Sequence, residues 1–133
     1  TGDERHATQA RRVLDAFSIP MVESPTALTT MLTALCFVLG PSQEIVIAAS
    51  QQQAQTDALL DEVRRHFLPN AVLLVHPFGP ESRAVEEVAP FVDGLGPIDG
   101  HAAAYVCRDH ACQQPVTRPQ ELREILLAIP PKH

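Results

Sequence analysis

The feature that most constrains the fold is a pair of short apolar runs, EIVIAA at residues 44 to 49 and AVLLVHP at residues 71 to 77. Short runs rich in β-branched residues are typical of strands buried on both faces of a sheet. The segment between them has helical spacing, with Thr56 as the expected N-cap and Pro69-Asn70 as the stop. Its inward stripe is predicted to be Leu59, Leu60, Val63 and Phe67. Strand, helix and strand over this length predict a βαβ unit with parallel strands and a right-handed crossover.

The remainder of the chain predicts a small mixed sheet. SRAVEEVAPFVDGL has the pattern of a short helix that ends or kinks at Pro90, because proline lacks an N–H donor. HAAAYVC and CQQPV predict an antiparallel hairpin, and a capping-box pair, Thr117 and Gln120, predicts the start of a last helix that ends at Pro130-Pro131. The inward residues of this helix are predicted to be Leu122, Ile125, Leu126 and Ile129. The order from Glu44 onward, βαβ-α-ββ-α, indicates an α/β fold, and a thioredoxin-like topology is one alternative for it.

Two helices are predicted before the first strand. The first, from Glu4 to Ser18, is amphipathic and is expected to stop before Pro20. The second is expected to begin at Ser24 as N-cap and is apolar around most of its circumference, so it needs cover on several sides. The sequence therefore predicts two domains, a helical hairpin over residues 1–41 and an α/β domain over residues 42–133.

Composition restricts the partners. Ten Lys and Arg against sixteen Asp and Glu give a net charge of −6, which disfavours binding to nucleic acid or to anionic lipid. The longest apolar run, residues 31 to 39, is broken by Thr33 and is far shorter than the ~20 residues that cross a bilayer. Three cysteines, an odd number, do not form a secreted disulfide framework. These features predict a cytoplasmic protein, and the start TGDERH, without methionine, suggests a processed or excised fragment.

Cys107 and Cys112 are the first candidate site. If residues 108 to 111 form the hairpin loop, the two cysteines lie opposite each other with Cα atoms ~4.5–5.5 Å apart, a separation that a disulfide accepts. Three interpretations stay open: a reduced structural pair, a disulfide, and a metal-binding or reactive pair. A reducing compartment favours the reduced pair, and neither a nearby Lys nor CxxC spacing marks either thiol as reactive. A zinc site needs about four ligands, and only His101 and His110 are near in sequence.

The second candidate is the crevice after the first strand, where open α/β sheets bind ligands. Its residues are Ser50, Gln51, Thr56 and Asp57. Neither GxGxxG nor a Walker A motif is present, and Asp57 in the expected first helical turn repels an anion. Ser50 lies where a nucleophile elbow would, but its context AASQQ is not GxSxG. The sequence thus predicts no catalytic residue, metal or cofactor, and it leaves a neutral or cationic ligand open.

Acidic pairs are a third feature that general acid–base chemistry could use. Asp61-Glu62 and Glu86-Glu87 are predicted to fall on the solvated faces of their helices. A catalytic role for either pair is therefore not expected.

Three stretches, EIVIA, RRHFLPN and AYVCRDHACQQPVT, resemble the C-terminal segment of a large thioredoxin-domain-containing family that includes bacterial YyaL-like proteins and a spermatogenesis-associated thioredoxin-like protein of animals. The resemblance covers the chain from about Pro25 onward. It implies an upstream thioredoxin-like domain with its own cysteine motif and a central α/α barrel similar to sugar epimerases and six-hairpin glycosidases. Family members often carry glycine after EIVIA, whereas this chain has Ala49-Ser50-Gln51, which puts backbone-mediated binding at that turn in doubt.

On this resemblance, the first two helices are the last hairpin of the α/α barrel. The chain is expected to be a non-catalytic accessory C-terminal domain whose partners are the upstream domains of the same polypeptide. The alternative is a thiol-redox or small-ligand module that uses Cys107 and Cys112 or the crevice from Ser50 to Thr56.

Overall fold

The computed structural model describes residues 4–108 and 111–128. These residues form a mixed α/β structure with six α-helices and one four-stranded sheet. The helices are α1 (Glu4–Ala16), α2 (Ser18–Glu23), α3 (Thr29–Leu39), α4 (Gln53–Arg64), α5 (Ser82–Val88) and α6 (Pro119–Leu127). The strands are β1 (Gln43–Ala48), β2 (Ala71–His76), β3 (Ala103–Arg108) and β4 (Ala111–Cys112). The chain divides into two compact units, Thr1–Gly40 and Pro41–His133.

The first unit contains α1, α2 and α3. The first helix ends at Ala16, before Pro20 as expected, but the short helix α2 follows it and contains Pro20 as its third residue. Proline is tolerated there because the first-turn N–H groups have no acceptor within the helix. The single helix predicted from Ser24 is wrong, since a 3₁₀ turn at Pro25–Ala27 and a break at Leu28 precede α3.

The outer surface of α3 is apolar. None of its residues is buried, although eight of the eleven residues in TTMLTALCFVL are nonpolar. Phe37, Val38 and Leu39 expose 37%, 44% and 76% of their surface. Within the first unit this helix therefore lacks full cover, in agreement with the expectation that it needs cover on several sides. Within the described ranges, no helix has the length and apolar character needed to cross a membrane.

The second unit contains the sheet, with strand order β2-β1-β3-β4. β1 runs parallel to β2 and antiparallel to β3, and β4 is antiparallel to β3. The central strand β1 is buried on both faces, as predicted, with residues 45–48 at most 1% exposed. β2 was also predicted to be buried, but it lies at the edge, where Val72, Leu73 and Val75 are 37–48% exposed. The apolar run identified a strand but could not distinguish an edge strand from a central one.

Helices cover both faces of the sheet and create two core clusters. Ile45, Ile47 and Val106 pack with α4 and α6, to which Leu59 and Leu122 belong. On the other face the cluster of buried residues is Val46, Ala89 and Val92. The alternation of β1 side chains between the two clusters follows from the period of two in a strand. The result is a three-layer arrangement in which β1 connects both cores.

Three helix boundaries in this unit differ from the predictions: both ends of α4 and the start of α6. α4 begins at Gln53, so Thr56 is a buried helical residue and not the N-cap. Phe67, expected to face inward, is 92% exposed, because the helix ends at Arg64 and its spacing no longer applies there.

At α6 the N-cap is Arg118, and no side-chain cap forms there, so the Thr117 and Gln120 capping box is wrong. Pro90 ends α5 as predicted and opens a 3₁₀ turn. The predicted inward residue Ile129 and the stop at Pro130-Pro131 lie outside the described residues.

Candidate functional site

The two cysteines singled out from the sequence are joined by a disulfide. Cys107 on β3 pairs directly with Cys112 on β4, which confirms the predicted opposition. The Sγ atoms are 2.11 Å apart, and the Cα atoms are 3.8 Å apart, closer than the predicted ~4.5–5.5 Å. The favoured reduced pair is therefore not what the structure shows. Arg108 pairs with Ala111, so the connection is shorter than predicted, and the candidate ligand His110 lies outside the described residues.

The two cysteines of the disulfide differ in solvent exposure. Cys107 is only 4% exposed, whereas Cys112 lies on the surface. An external thiolate must reach the sulfur that it attacks, so Cys112 is the accessible end of this bond. Within residues 4–108 and 111–128, no group of three or more His, Cys, Asp or Glu side chains could hold a metal.

The crevice after β1 is shaped by two local structures. Ser50 Oγ accepts a hydrogen bond from Gln52 N–H at 3.2 Å, which turns the chain into α4. Across the crevice, Asp99 and Gly100 both have positive φ values, 50° and 79°. They form the tight turn that pairs Ile98 with His101, as expected for an Asp-Gly hairpin. This turn places His101 two residues before the start of β3.

Gln55 joins the two sides of the crevice. Its Oε1 accepts from Ala102 N–H at 3.2 Å and from Ser50 Oγ at 3.4 Å. Its Nε2 lies 3.0 Å from His101 Nδ1 and 2.7 Å from Gln52 Oε1. The amide side chain therefore occupies the space between the start of α4 and the start of β3. Beside it is a cavity of about 310 Å³, lined by Gln55, Ala58, His101, Thr117, Arg118 and Pro119.

The four predicted crevice residues differ in burial and in hydrogen-bond partners. Ser50 and Thr56 are buried, and Ser50 N–H donates to Thr56 Oγ1 at 3.4 Å. Gln51 and Asp57 are exposed. Asp57 lies beyond the first turn of α4, where it accepts a hydrogen bond from Gln53 Nε2 at 2.9 Å. The predicted repulsion of an anion by a first-turn Asp57 therefore does not apply.

The crevice and the disulfide do not form a single site. Ala48, at the crevice end of β1, pairs with Ala103, whereas Glu44, near the other end, pairs with Cys107. Four residues of strand separate the two positions, or ~13 Å. Neither candidate can therefore assist chemistry at the other by direct contact.

A buried histidine on β2 contacts both the loop that contains Leu95 and the helix α5. His76, 8% exposed, places Nδ1 2.7 Å from Leu95 O and Nε2 3.0 Å from Glu86 Oε1. Both ring nitrogens therefore have an oxygen atom within hydrogen-bond distance. Tyr105 donates its hydroxyl to Gly96 O at 2.7 Å, and burial raises the pKa of this phenol. These contacts tie β2 and β3 to one loop.

Glu62 connects α4 to α6. Its side chain is 2% exposed and accepts hydrogen bonds from Arg123 at 2.7 and 3.0 Å and from His66 at 2.9 Å. Hydrogen bonds from Arg123 and then from His66 lower the pKa of the Glu62 carboxyl from 4.5 to about 2. The expectation of a solvated Glu62 is wrong, because Arg123 from the neighbouring helix covers it. A carboxylate held in this way stabilises the helix pair and is a poor proton carrier.

The contacts of Glu62 and Glu86 were not predicted from the sequence, for different reasons. Glu62 and His66 are four residues apart on one helix face, so their contact was readable from spacing. Arg123 lies 61 residues from Glu62, and no local signal links them. Glu86 was likewise placed in solvent although it meets His76, ten residues away and on another element.

Comparison with known proteins identifies relatives. The chain is 37% identical over 114 residues to human spermatogenesis-associated protein 20, 35% identical to the rat protein and 34% identical to the mouse protein. Each match covers 86% of this chain and 14% of the relative. No protein-family model matches the chain, and no solved structure gives a significant match. The family resemblance read from the sequence is confirmed, and the chain belongs, as one segment, to the family of spermatogenesis-associated protein 20.

Proposed function

We propose that this chain is a non-catalytic accessory domain, located at the C-terminal end of a larger cytoplasmic protein. Its partners are the upstream domains of the same polypeptide, which comprise a thioredoxin-like domain and an α/α barrel of the six-hairpin glycosidase type. The small share of each relative that the chain matches, 14%, supports the view that most of the parent lies elsewhere. The helical hairpin over residues 1–41 is then the last hairpin of the barrel, and residues 42–133 are the α/β domain.

The observation that carries this proposal is the exposed apolar surface of α3. An isolated small domain rarely leaves a predominantly apolar helix without a buried residue. α1 and α3 also enclose a largely apolar groove of about 450 Å³, lined by His6, Gln9, Ala10, Val13, Leu14, Thr30, Met31, Ala34 and Val38. In an α/α barrel, neighbouring helical hairpins cover such surfaces by packing side by side. The occupant we propose is the preceding barrel hairpin.

The test compares this 133-residue chain with a longer polypeptide that includes the upstream region. Fluorescence of an apolar-surface dye should be strong for the chain alone and severalfold weaker per chain in the longer protein. The double variant Phe37→Ser, Leu39→Ser should weaken the signal of the chain alone. Val88→Ser, which alters a 67% exposed residue of the α/β unit, is the matched control. Equal dye binding by the chain and the longer protein would overturn the proposal.

The sheet supports a thioredoxin-like topology for the α/β domain. Its order, β2-β1-β3-β4, with β1 parallel to β2 and antiparallel to β3, is compatible with such a core. In that topology the redox cysteines would sit at the start of α4. Gln52 and Gln55 lie there instead, and their side chains hydrogen-bond at 2.7 Å. We propose that this turn is redox-silent.

The disulfide favours a second candidate function, thiol–disulfide exchange. A dithiol reductant would attack Cys112 Sγ with one thiolate and release Cys107 as a thiolate. The second thiolate of the reductant would then break the mixed disulfide, which leaves two protein thiols and an oxidised reductant. Measurement of the reduction potential separates the functions, with Cys36, an exposed free cysteine, replaced by Ser. A potential below ~−300 mV indicates a structural bond, and a higher one supports exchange.

A small ligand in the crevice from Ser50 to Thr56 is the remaining candidate, favoured by the cavity beside Gln55. Such a ligand has to compete with the hydrogen bonds that Gln55 makes to Ser50 and Ala102. Amide shifts of residues 50–56 on addition of neutral or cationic compounds test this function. Gln55→Ala should enlarge the cavity and increase the shifts, and unchanged spectra in both proteins would exclude the function for those compounds.

A further inference from the structure

β2 is an edge strand with few of the features that normally protect an edge. It is six residues long and carries no Lys, Arg, Asp, Glu, Pro or Gly. Natural proteins usually blunt such edges with charges, prolines or bulges. Leu73 and Val75 are each 37% exposed and Val72 is 48% exposed. A long apolar edge of this kind is a template for pairing with another strand.

Two hydrogen bonds identify the backbone groups of β2 that face β1. Gln43 N–H donates to Asn70 O at 3.0 Å, and Ala49 N–H donates to His76 O at 2.9 Å. In a parallel ladder the residues that bond a given neighbour alternate along the strand. Together with the register, this assigns the even-numbered residues of β2 to β1. The odd-numbered residues direct their backbone groups away from the sheet.

These outward residues are Ala71, Leu73 and Val75. Ala71 N–H already donates to Leu68 O at 3.1 Å. The N–H groups of Leu73 and Val75 and the carbonyl groups of all three outward residues have no partner in the described parts of the chain. The β2 edge, defined by these three residues, therefore offers two donors and three acceptors.

The sequence around this edge is symmetric about Leu73. Pro69 and Pro77 lie four residues to either side, and the polar residues Asn70 and His76 lie three residues to either side. The residues between them are all apolar. An antiparallel copy centred on Leu73 opposes Leu73 to Leu73 and Ala71 to Val75. A shift of two residues in either direction would instead oppose a proline to an outward residue, where proline cannot donate.

We propose that β2 pairs antiparallel with β2 of a second copy of this chain, with the two-fold axis at Leu73. In this register each Leu73 N–H meets the other Leu73 carbonyl, and each Val75 N–H meets the other Ala71 carbonyl. All outward donors of both edges are then used, and the two sheets continue as one. Each copy has a net charge of −6, but the strand itself carries no charge. No like charges therefore oppose each other across the paired strands.

Cross-linking tests the register, in a Cys36→Ser background. Opposite residues of a hydrogen-bonded antiparallel pair have Cα atoms ~5.5 Å apart, which a disulfide accepts. Leu73→Cys should therefore form a covalent dimer under mild oxidation. Val75→Cys is the matched control, with the same 37% exposure. In the proposed register its two copies are offset by four residues along the strands, or ~14 Å, and cannot bond.

Sedimentation of the unmodified 133-residue chain over a concentration series should show twice the monomer mass at high concentration. Leu73→Pro removes an outward donor, and Val75→Lys adds an edge charge. Either variant should keep the circular dichroism of the parent and abolish the dimer. Val22→Lys, at an 82% exposed residue of the helical unit, should leave it intact. A monomer at all concentrations, loss of the dimer in Val22→Lys, or equal cross-linking by Leu73→Cys and Val75→Cys would overturn the proposal.

Discussion

Reduction of the Cys107–Cys112 bond should destabilise the folded chain by a predictable amount. The two residues are five apart in sequence, so the bond closes a loop of about six residues. The chain-entropy relation for such a loop gives ~2 kcal/mol of stabilisation at 25 °C. β4 contains only two residues and contributes little to holding the hairpin once the bond is broken. Most of this stabilisation should therefore be lost on reduction.

Urea unfolding followed by circular dichroism measures this effect in a Cys36→Ser background, with and without dithiothreitol. The oxidised protein should be ~2 kcal/mol more stable than the reduced one. Cys112→Ser, at an exposed position, should match the reduced protein and should not respond to the reductant. A difference below ~0.5 kcal/mol between oxidised and reduced protein would refute the reasoning, since it lies within the range of neutral surface changes.

Other predictions concern the core and the polar clusters. Leu59→Ala, at a residue with 0% exposure, should lower the free energy of unfolding in urea by ~2–5 kcal/mol. Phe67→Ala, at a residue that is 92% exposed, should change it by less than ~0.5 kcal/mol. Because the pKa of Glu62 falls from 4.5 to about 2 on folding, its stabilisation is complete above pH 4.5 and is lost as the pH falls through about 2. Glu62→Gln should flatten that part of a melting-temperature profile, and an unchanged profile would contradict the assignment. Tyr105→Phe removes the hydrogen bond to Gly96 O and should cost ~0.5–1.5 kcal/mol in the same unfolding assay.

The arrangement of elements in the α/β unit followed from sequence because local pattern and global fold agree there. The run at Ile45 to Ala48 has the composition of a central strand, and it occupies that place. The hairpin that opposes Cys107 to Cys112 was also predictable, since the strand pattern resumes after a short polar stretch. In both cases a short apolar run and its flanking turn residues were sufficient.

The predictions that were wrong concern residues whose surroundings depend on partners far away in sequence or on where a helix begins. Val72 and its neighbours read as a buried strand, because hydropathy does not report a strand's place in the sheet. Thr56 looked like an N-cap, but α4 begins three residues earlier, after the turn in which Gln52 N–H donates to Ser50 Oγ. Glu62 and Gln55 acquire their roles from partners 61 and 47 residues away, Arg123 and Ala102, which no spacing rule anticipates.

We propose the apolar surface of α3 as a docking face for the rest of the parent protein. Amide hydrogen exchange of residues 35–39 measures it directly, in the 133-residue chain and in the polypeptide extended through its upstream region. We expect fast exchange in the chain alone and at least ~10-fold slower exchange in the longer protein, because packing adds to the local opening free energy. Equal exchange rates for these amides in the two proteins would contradict it.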